Sequence, residues 1–323
     1  MPPPFPDVPG QRGLATTRQL VTAGWSATQL HHLKSRAGRV LLRGVCAPHR
    51  GEPDAATWLV AAWLWAGPGS VLTGGHALRR SGVVTGPLGP PTFVVPRGRR
   101  ARAEARGVTV RSERPVRYRT LDGVPTVAPA RALVDAGLYG ELEAADLRAA
   151  TIATLQRRLS TAGRIRAELD LAPPNGSRPI RLGVADFERG AWSLPEVLLA
   201  ELLGRRRPHL EFLANPRLTR PDGVLIGVPD AYLPAHGVAI LVHSREFHDG
   251  FADDGRDLWE ATIEADSVYE AHGIAVAAVA PTALRDHPER FLARLDRVVE
   301  AQHGRPRPRV SVGRVGAGRW PAA

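Results

Sequence analysis

The chain has 323 residues, enough for two or three domains with real cores, and its 43% hydrophobic and 23% charged content is that of a globular protein. A net charge of +11, carried almost wholly by Arg with Lys34 the one Lys, points to an anionic partner. The single cysteine, Cys46, excludes an internal disulfide framework and a Cys-rich zinc site, and the absence of a secretory or membrane-spanning apolar run leads us to expect a cytoplasmic protein.

Residues 1–12 are Pro-rich and read as a disordered tail. From Gly13 the chain becomes organised. No acidic residue falls between Asp7 and Glu52, while Arg12, Arg18, Lys34, Arg36, Arg39, Arg43 and Arg50 do. Thr16 or Thr17 caps a short helix with Leu20 and Val21 as apolar positions, and Ala23-Gly24 breaks it. Ser26 opens a second helix with Leu30 and Leu33 inward, Gly38 ends it, and Arg39 to Val45 follows as an extended basic run. Helix, glycine turn, helix and basic strand is the order of a winged helix-turn-helix over 13–50, and a solvated basic module is the plainer alternative. On the DNA reading, the candidate contacts are Thr17, Arg18, Thr28, Gln29, His32, Arg36, Arg39 and Arg43. Thr28, Gln29, His32 and Arg36 then lie outward on the second helix, and Arg39 and Arg43 on the wing reach double-stranded DNA phosphates.

Asp54 caps a further helix through Trp58, Leu59, Ala62 and Leu64. Trp58, Trp63 and Trp65 lie in a run of Ala, Leu and Val and read as packing rather than as a platform for stacking bases. His76 has no companion at metal-ligand spacing. Strands are expected at Pro91–Pro96 and Gly107–Arg111, and a second basic surface at Arg97, Arg99, Arg100 and Arg102, with only Glu104 and Glu113 opposing the cluster. Gly123 to Asp135 turns a strand into a helix, on which Arg131 and Asp135 pair four residues apart in a structural role. These elements form a middle α+β domain over 51–172, and 173–192, opening with Pro173-Pro174-Asn175-Gly176-Ser177, reads as a linker.

From 193 to 302 a helix starts at Ser193-Leu194-Pro195-Glu196. Strands follow near Phe212, before Asp230, at Gly237–Val242 and at Ile274–Val279, with a helix from about Asp254 to His272 and a closing helix over Phe291, Leu292, Leu295, Val298 and Val299. The pattern suggests an α/β domain, and residues 303–323 read as a disordered tail. The overall class is α/β, or α+β taken over the whole chain.

Two stretches resemble known families. Gly13, Thr16, Gln19, Gly24, Trp25, Ser26, Gln29, Leu30, Arg39, Arg43, Gly44 and Val45 supply the opening phrase of the AbiEi family of antitoxins and transcriptional regulators. Thr126, Pro129, Arg131 and Asp135 resemble a phrase of that family's second domain. The C-terminal part resembles Vsr-like, PD-(D/E)xK endonuclease domains: Glu196 matches the helical Glu, Asp230 and Pro234 match D-x-x-x-P, and Ser244 to His248 match the tail. Leu241 and His243 stand where that family has Glu and Asp. A nuclease of this class needs paired carboxylates to hold a hard divalent ion, so the vestigial set Glu196, Asp230, His243, Glu246 and His248 implies a silent domain with no metal or other cofactor. The alternative is a metal-dependent nuclease with a rebuilt site, for which Mg²⁺ would be the cofactor. The resemblance further implies a cognate toxin as partner, with the C-terminal domain serving homodimer or partner contacts.

Overall fold

The computed structural model describes residues 3–104, 106–112, 114–243 and 258–314. The chain is mixed α and β throughout and divides into two compact units, Met1–Val184 and Ala185–Ala323. Among the described residues no helix is long and apolar enough to cross a membrane.

The first unit opens with strand β1 (Ala15–Thr16), helix α1 (Thr17–Thr22) and helix α2 (Ala27–His32), which continues as a π-helical turn, Leu33–Ala37. Strands β2 (Arg39–Leu42) and β3 (Val45–Ala47) form a hairpin, and the sheet order is β1-β3-β2. Each helix starts on a reciprocal cap. The Thr16 hydroxyl accepts from the Gln19 N–H while Gln19 Oε1 accepts from the Thr16 N–H at 2.8 Å, and Ser26 and Gln29 repeat the arrangement. Leu20, Leu30 and Leu33 meet Ala15 and Cys46 in a small core. Gly38 is needed at the close of the π turn, because a Cβ there would strike the Ala47 carbonyl oxygen and the Leu33 side chain. The expected N-terminal tail is not loose. Phe5 packs edge-on to Trp25 with ring centroids 6.2 Å apart, Gln11 is buried, and the Gln19 amide donates to Gln11 Oε1 at 3.1 Å.

Helix α3 (Ala55–Ala66), capped by Asp54, packs against β2 and also against β5 (Thr92–Val95) and β7 (Gly107–Arg111). It therefore joins the N-terminal three-stranded module to a six-stranded mixed sheet. With β4 (Val71–Thr73), β6 (Arg102–Glu104), β8 (Tyr118–Leu121) and β9 (Val124–Val127), the order is β6-β7-β5-β4-β9-β8. Helices α4 (Gly74–Arg80), α5 (Pro129–Leu138), α6 (Ala144–Gln156) and α7 (Ala162–Asp170) pack around α5, over a core including Phe93, Leu72, Leu78, Leu133, Leu147 and Ile165. Helix α8 (Ser177–Glu188) occupies most of the stretch expected as a linker. The division between the units falls within it.

The second unit is built on the sheet β10-β13-β14-β15, of strands Leu213–Ala214, Ala231–Leu233, Val238–Val242 and Ala275–Val279; the last two run parallel. Alternation along β13 and β14 divides their side chains between two cores. Leu233, Val238 and Ile240 meet helix α9 (Leu194–Arg206) and the closing helix Pro288–Ala301. Tyr232, Ala239 and Leu241 instead meet Leu218, Ile226, Ile274 and Tyr269 of the helix Leu258–Ala271. Leu218 and Ile226 come from β11 (Pro216–Thr219) and β12 (Leu225–Gly227); β11 pairs with both β12 and β16 (Ser311–Arg314) in a second sheet. The segment from 303 to 314, expected within a disordered tail, thus supplies a paired strand.

Candidate functional site

The N-terminal module presents α2 and its π turn outward. Arg18 on α1 and Thr28, His32 and Arg36 on α2 and its π turn are exposed. Two of the expected contacts have other work. Gln29 Oε1 accepts the Ser26 N–H at 2.9 Å, so bidentate reading of adenine, which uses both ends of the amide, would break the cap. The Thr17 hydroxyl is buried and faces Cys46, whose thiol pKa burial pushes up against the Lys34 charge and that hydroxyl. On the wing, Arg39 pairs with Glu52, while Arg43 at the hairpin turn is exposed.

The second basic surface separates into distinct roles. Arg99 lies over the end of α3, where its guanidinium donates to the Ala66 carbonyl at 3.3 Å, a favourable place for a cation at a helix C-terminus. Arg97 lines a shallow cleft of about 340 Å³ with Ser112, Arg114 and Tyr118, and Arg100 is exposed. Arg102 lies over the Trp65 ring, 4.3 Å from its centroid, and Arg106 lies over Trp58 at 3.8 Å. Arg106 belongs to the basic cluster read from the sequence, although not to the four residues chosen as its surface. Trp58 and Trp65 are seven residues apart, two helical turns on one face of the helix.

The Arg131–Asp135 pair is structural, as expected. Asp135 is fully buried; its Oδ2 accepts from Arg131 Nε at 2.8 Å and from the Thr73 hydroxyl at 2.6 Å, and Arg114 donates to its Oδ1. Arg131 also donates to Ser112 Oγ at 2.8 Å, and Arg114 to Glu168 at 3.3 Å. The network ties α5 to the β4 strand, to the loop after β7 and to α7. His76, likewise structural, hydrogen-bonds the Gly89 carbonyl at 2.9 Å.

In the second unit, tertiary structure brings Glu196 and Asp230 together. Asn215 bridges them: its Nδ2 donates to Glu196 Oε2 at 2.6 Å and its N–H to the Asp230 carbonyl at 3.1 Å. Glu196 further accepts from the Trp192 N–H and the Ser193 hydroxyl, each at 2.7 Å, and Asp230 Oδ2 accepts the Val242 N–H at 2.6 Å. Burial, then the Glu196 charge, raises the Asp230 pKa to about 7, and burial raises that of Glu196. Leu241 lies buried in the apolar core of Tyr232 and Tyr269, and His243 pairs with Asp266 at 3.0 Å. Glu246 and His248 lie outside the described residues.

This donor set does not fit a hard divalent ion. The two carboxylates are already engaged by internal donors, the strand position beside them is apolar, and among the described residues no three His, Cys, Asp or Glu converge as ligands.

No family model matches the chain, and no curated protein matches it. Among solved structures, the crystal structure of the Rv2827c protein from Mycobacterium tuberculosis is similar over 58% of this chain and 76% of that one. The identity is 18% and the TM-score 0.39, too distant to bear on function.

Proposed function

We propose that the chain is a DNA-binding transcriptional regulator of AbiEi antitoxin type, with an endonuclease-like C-terminal domain that is catalytically silent. The observation that carries the reading is the strand-helix-helix-hairpin order of the N-terminal module, with Thr28, His32 and Arg36 exposed on the second helix of an acid-poor stretch. Phosphate attraction supplies most of the affinity and the helix supplies the sequence preference. Silence of the second domain follows from Leu241 and from carboxylates consumed by internal hydrogen bonds. A cognate toxin or a second copy of the chain is the partner this reading assigns to that domain, in the cytoplasm.

Selection of bound sites from a random duplex pool tests the reading. A recurring site whose preference changes in Arg36→Ala supports it, and recovery of no site removes it. The second reading, a metal-dependent nuclease, draws on the adjacency of Glu196 and Asp230. Plasmid cleavage in Mg²⁺ or Mn²⁺ that disappears in Asp230→Ala would establish that reading in place of silence.

A further inference from the structure

The two basic surfaces of the first unit meet across α3. Trp58 and Trp65 face the strand pair β6-β7, and Gly107 lets β7 cross the Trp65 indole, since a Cβ there would come within 3.0 Å of Cζ3. The Arg102 and Arg106 guanidinium groups thereby sit over the two rings, 4.3 and 3.8 Å from the centroids, while both residues stay exposed. Helix α3 also packs against β2, whose turn presents Arg43. Arg43 and Arg99 are near enough for their charges to act on Arg102, with Glu104 opposing.

We infer that Arg43, Arg102 and Arg106 form one track for the phosphates of duplex DNA, running from the wing onto the β6-β7 hairpin, with Trp58 and Trp65 as positioning residues. The inference rests on the DNA-binding reading and extends it to a surface outside the winged module. A guanidinium stacked on an indole loses less freedom on meeting a phosphate than one on a free stem. The track therefore adds affinity without sequence preference, because phosphate contacts position the duplex and carry no base information.

The test is fluorescence anisotropy of the full chain on a labelled duplex of arbitrary sequence and on a selected one, from 50 to 200 mM salt. Arg102→Ala with Arg106→Ala should lower the slope of log affinity against log salt by about two, with sequence preference unchanged. Arg117→Ala with Arg119→Ala removes the same charge at the β8 edge, opposite β6, where both side chains are exposed; it should leave the slope intact. Trp58→Leu should lower the slope by about one and Trp58→Phe should restore it, with circular dichroism confirming that each is folded. If Trp58→Leu fails to fold, the arginine pairs decide. An unchanged slope in Arg102→Ala/Arg106→Ala, or an equal fall in Arg117→Ala/Arg119→Ala, overturns the track while leaving the regulator reading in place. Wild-type protein that binds single-stranded RNA but no duplex overturns both, and so does one that binds neither.

Discussion

At Asp230 a carboxyl group is held beside another carboxyl in a buried site, and its pKa rises to about 7 through burial first and the Glu196 charge second. The folded-state value lies above the unfolded value of about 3.9, so the native state binds the extra proton. Stability from this group is complete below about pH 4 and is lost as pH rises towards 7. Asp230→Asn keeps an acceptor for the Val242 N–H and removes the charge. It should flatten the pH dependence of urea unfolding between about pH 4 and 7 and stabilise the protein at pH 8 by about 1–3 kcal/mol; a slope identical to wild type would refute the assignment. Asp135 is the opposite case, a buried anion matched by two guanidinium groups. Asp135→Ala strands both cations and should cost about 3–5 kcal/mol, read from the urea midpoint. A cost below about 1 kcal/mol would mean that the network contributes little.

At the scale of the element, α1 and α2 are six residues each, too short to persist without their caps and their buried leucines. The phrase T-x-x-Q, repeated as S-x-x-Q, is therefore a folding device before it is a contact surface. Gln29→Glu preserves an acceptor for the Ser26 N–H and should leave both stability and sequence preference close to wild type. Gln29→Ala should lower stability by about 0.5–1 kcal/mol. If Gln29→Glu instead changes which duplex is selected while Arg36→Ala does not, the amide reads a base after all.

Taken whole, the molecule is electrostatically divided. Residues 1–184 hold 26 Lys and Arg against 12 Asp and Glu, whereas residues 185–323 hold 17 against 20. The excess that makes the protein basic lies entirely in the first unit, and so does every candidate DNA contact. Four to six phosphate contacts imply an affinity loss of about 10²–10³-fold between 50 and 200 mM salt. Anisotropy titrations should show that loss, and neutral substitutions of Arg305, Arg307 and Arg309 in the second unit should leave it unchanged. Salt-independent binding would point to an interface that is not electrostatic.

Much of the local structure was legible in the residues. Thr16, Ser26, Asp54 and Ser193 each cap a helix through a partner three positions on, and Leu241 lies in an apolar core as its chemistry demands. Such contacts are fixed by covalent neighbours, so a sequence contains both halves of them. Which arginines remain available was decided only by tertiary structure. Arg39 meets Glu52, Arg99 closes α3 from 33 residues away, and Arg114 is drawn onto Asp135 and Glu168, while Arg102 and Arg106 are laid on tryptophans. The strand Ser311–Arg314 was hidden for the same reason, since its partner is β11, almost a hundred residues earlier. A charge count along the chain gives the total; the fold determines which charges are neutralised, because ion pairs and stacking depend on distances that the chain's order does not specify.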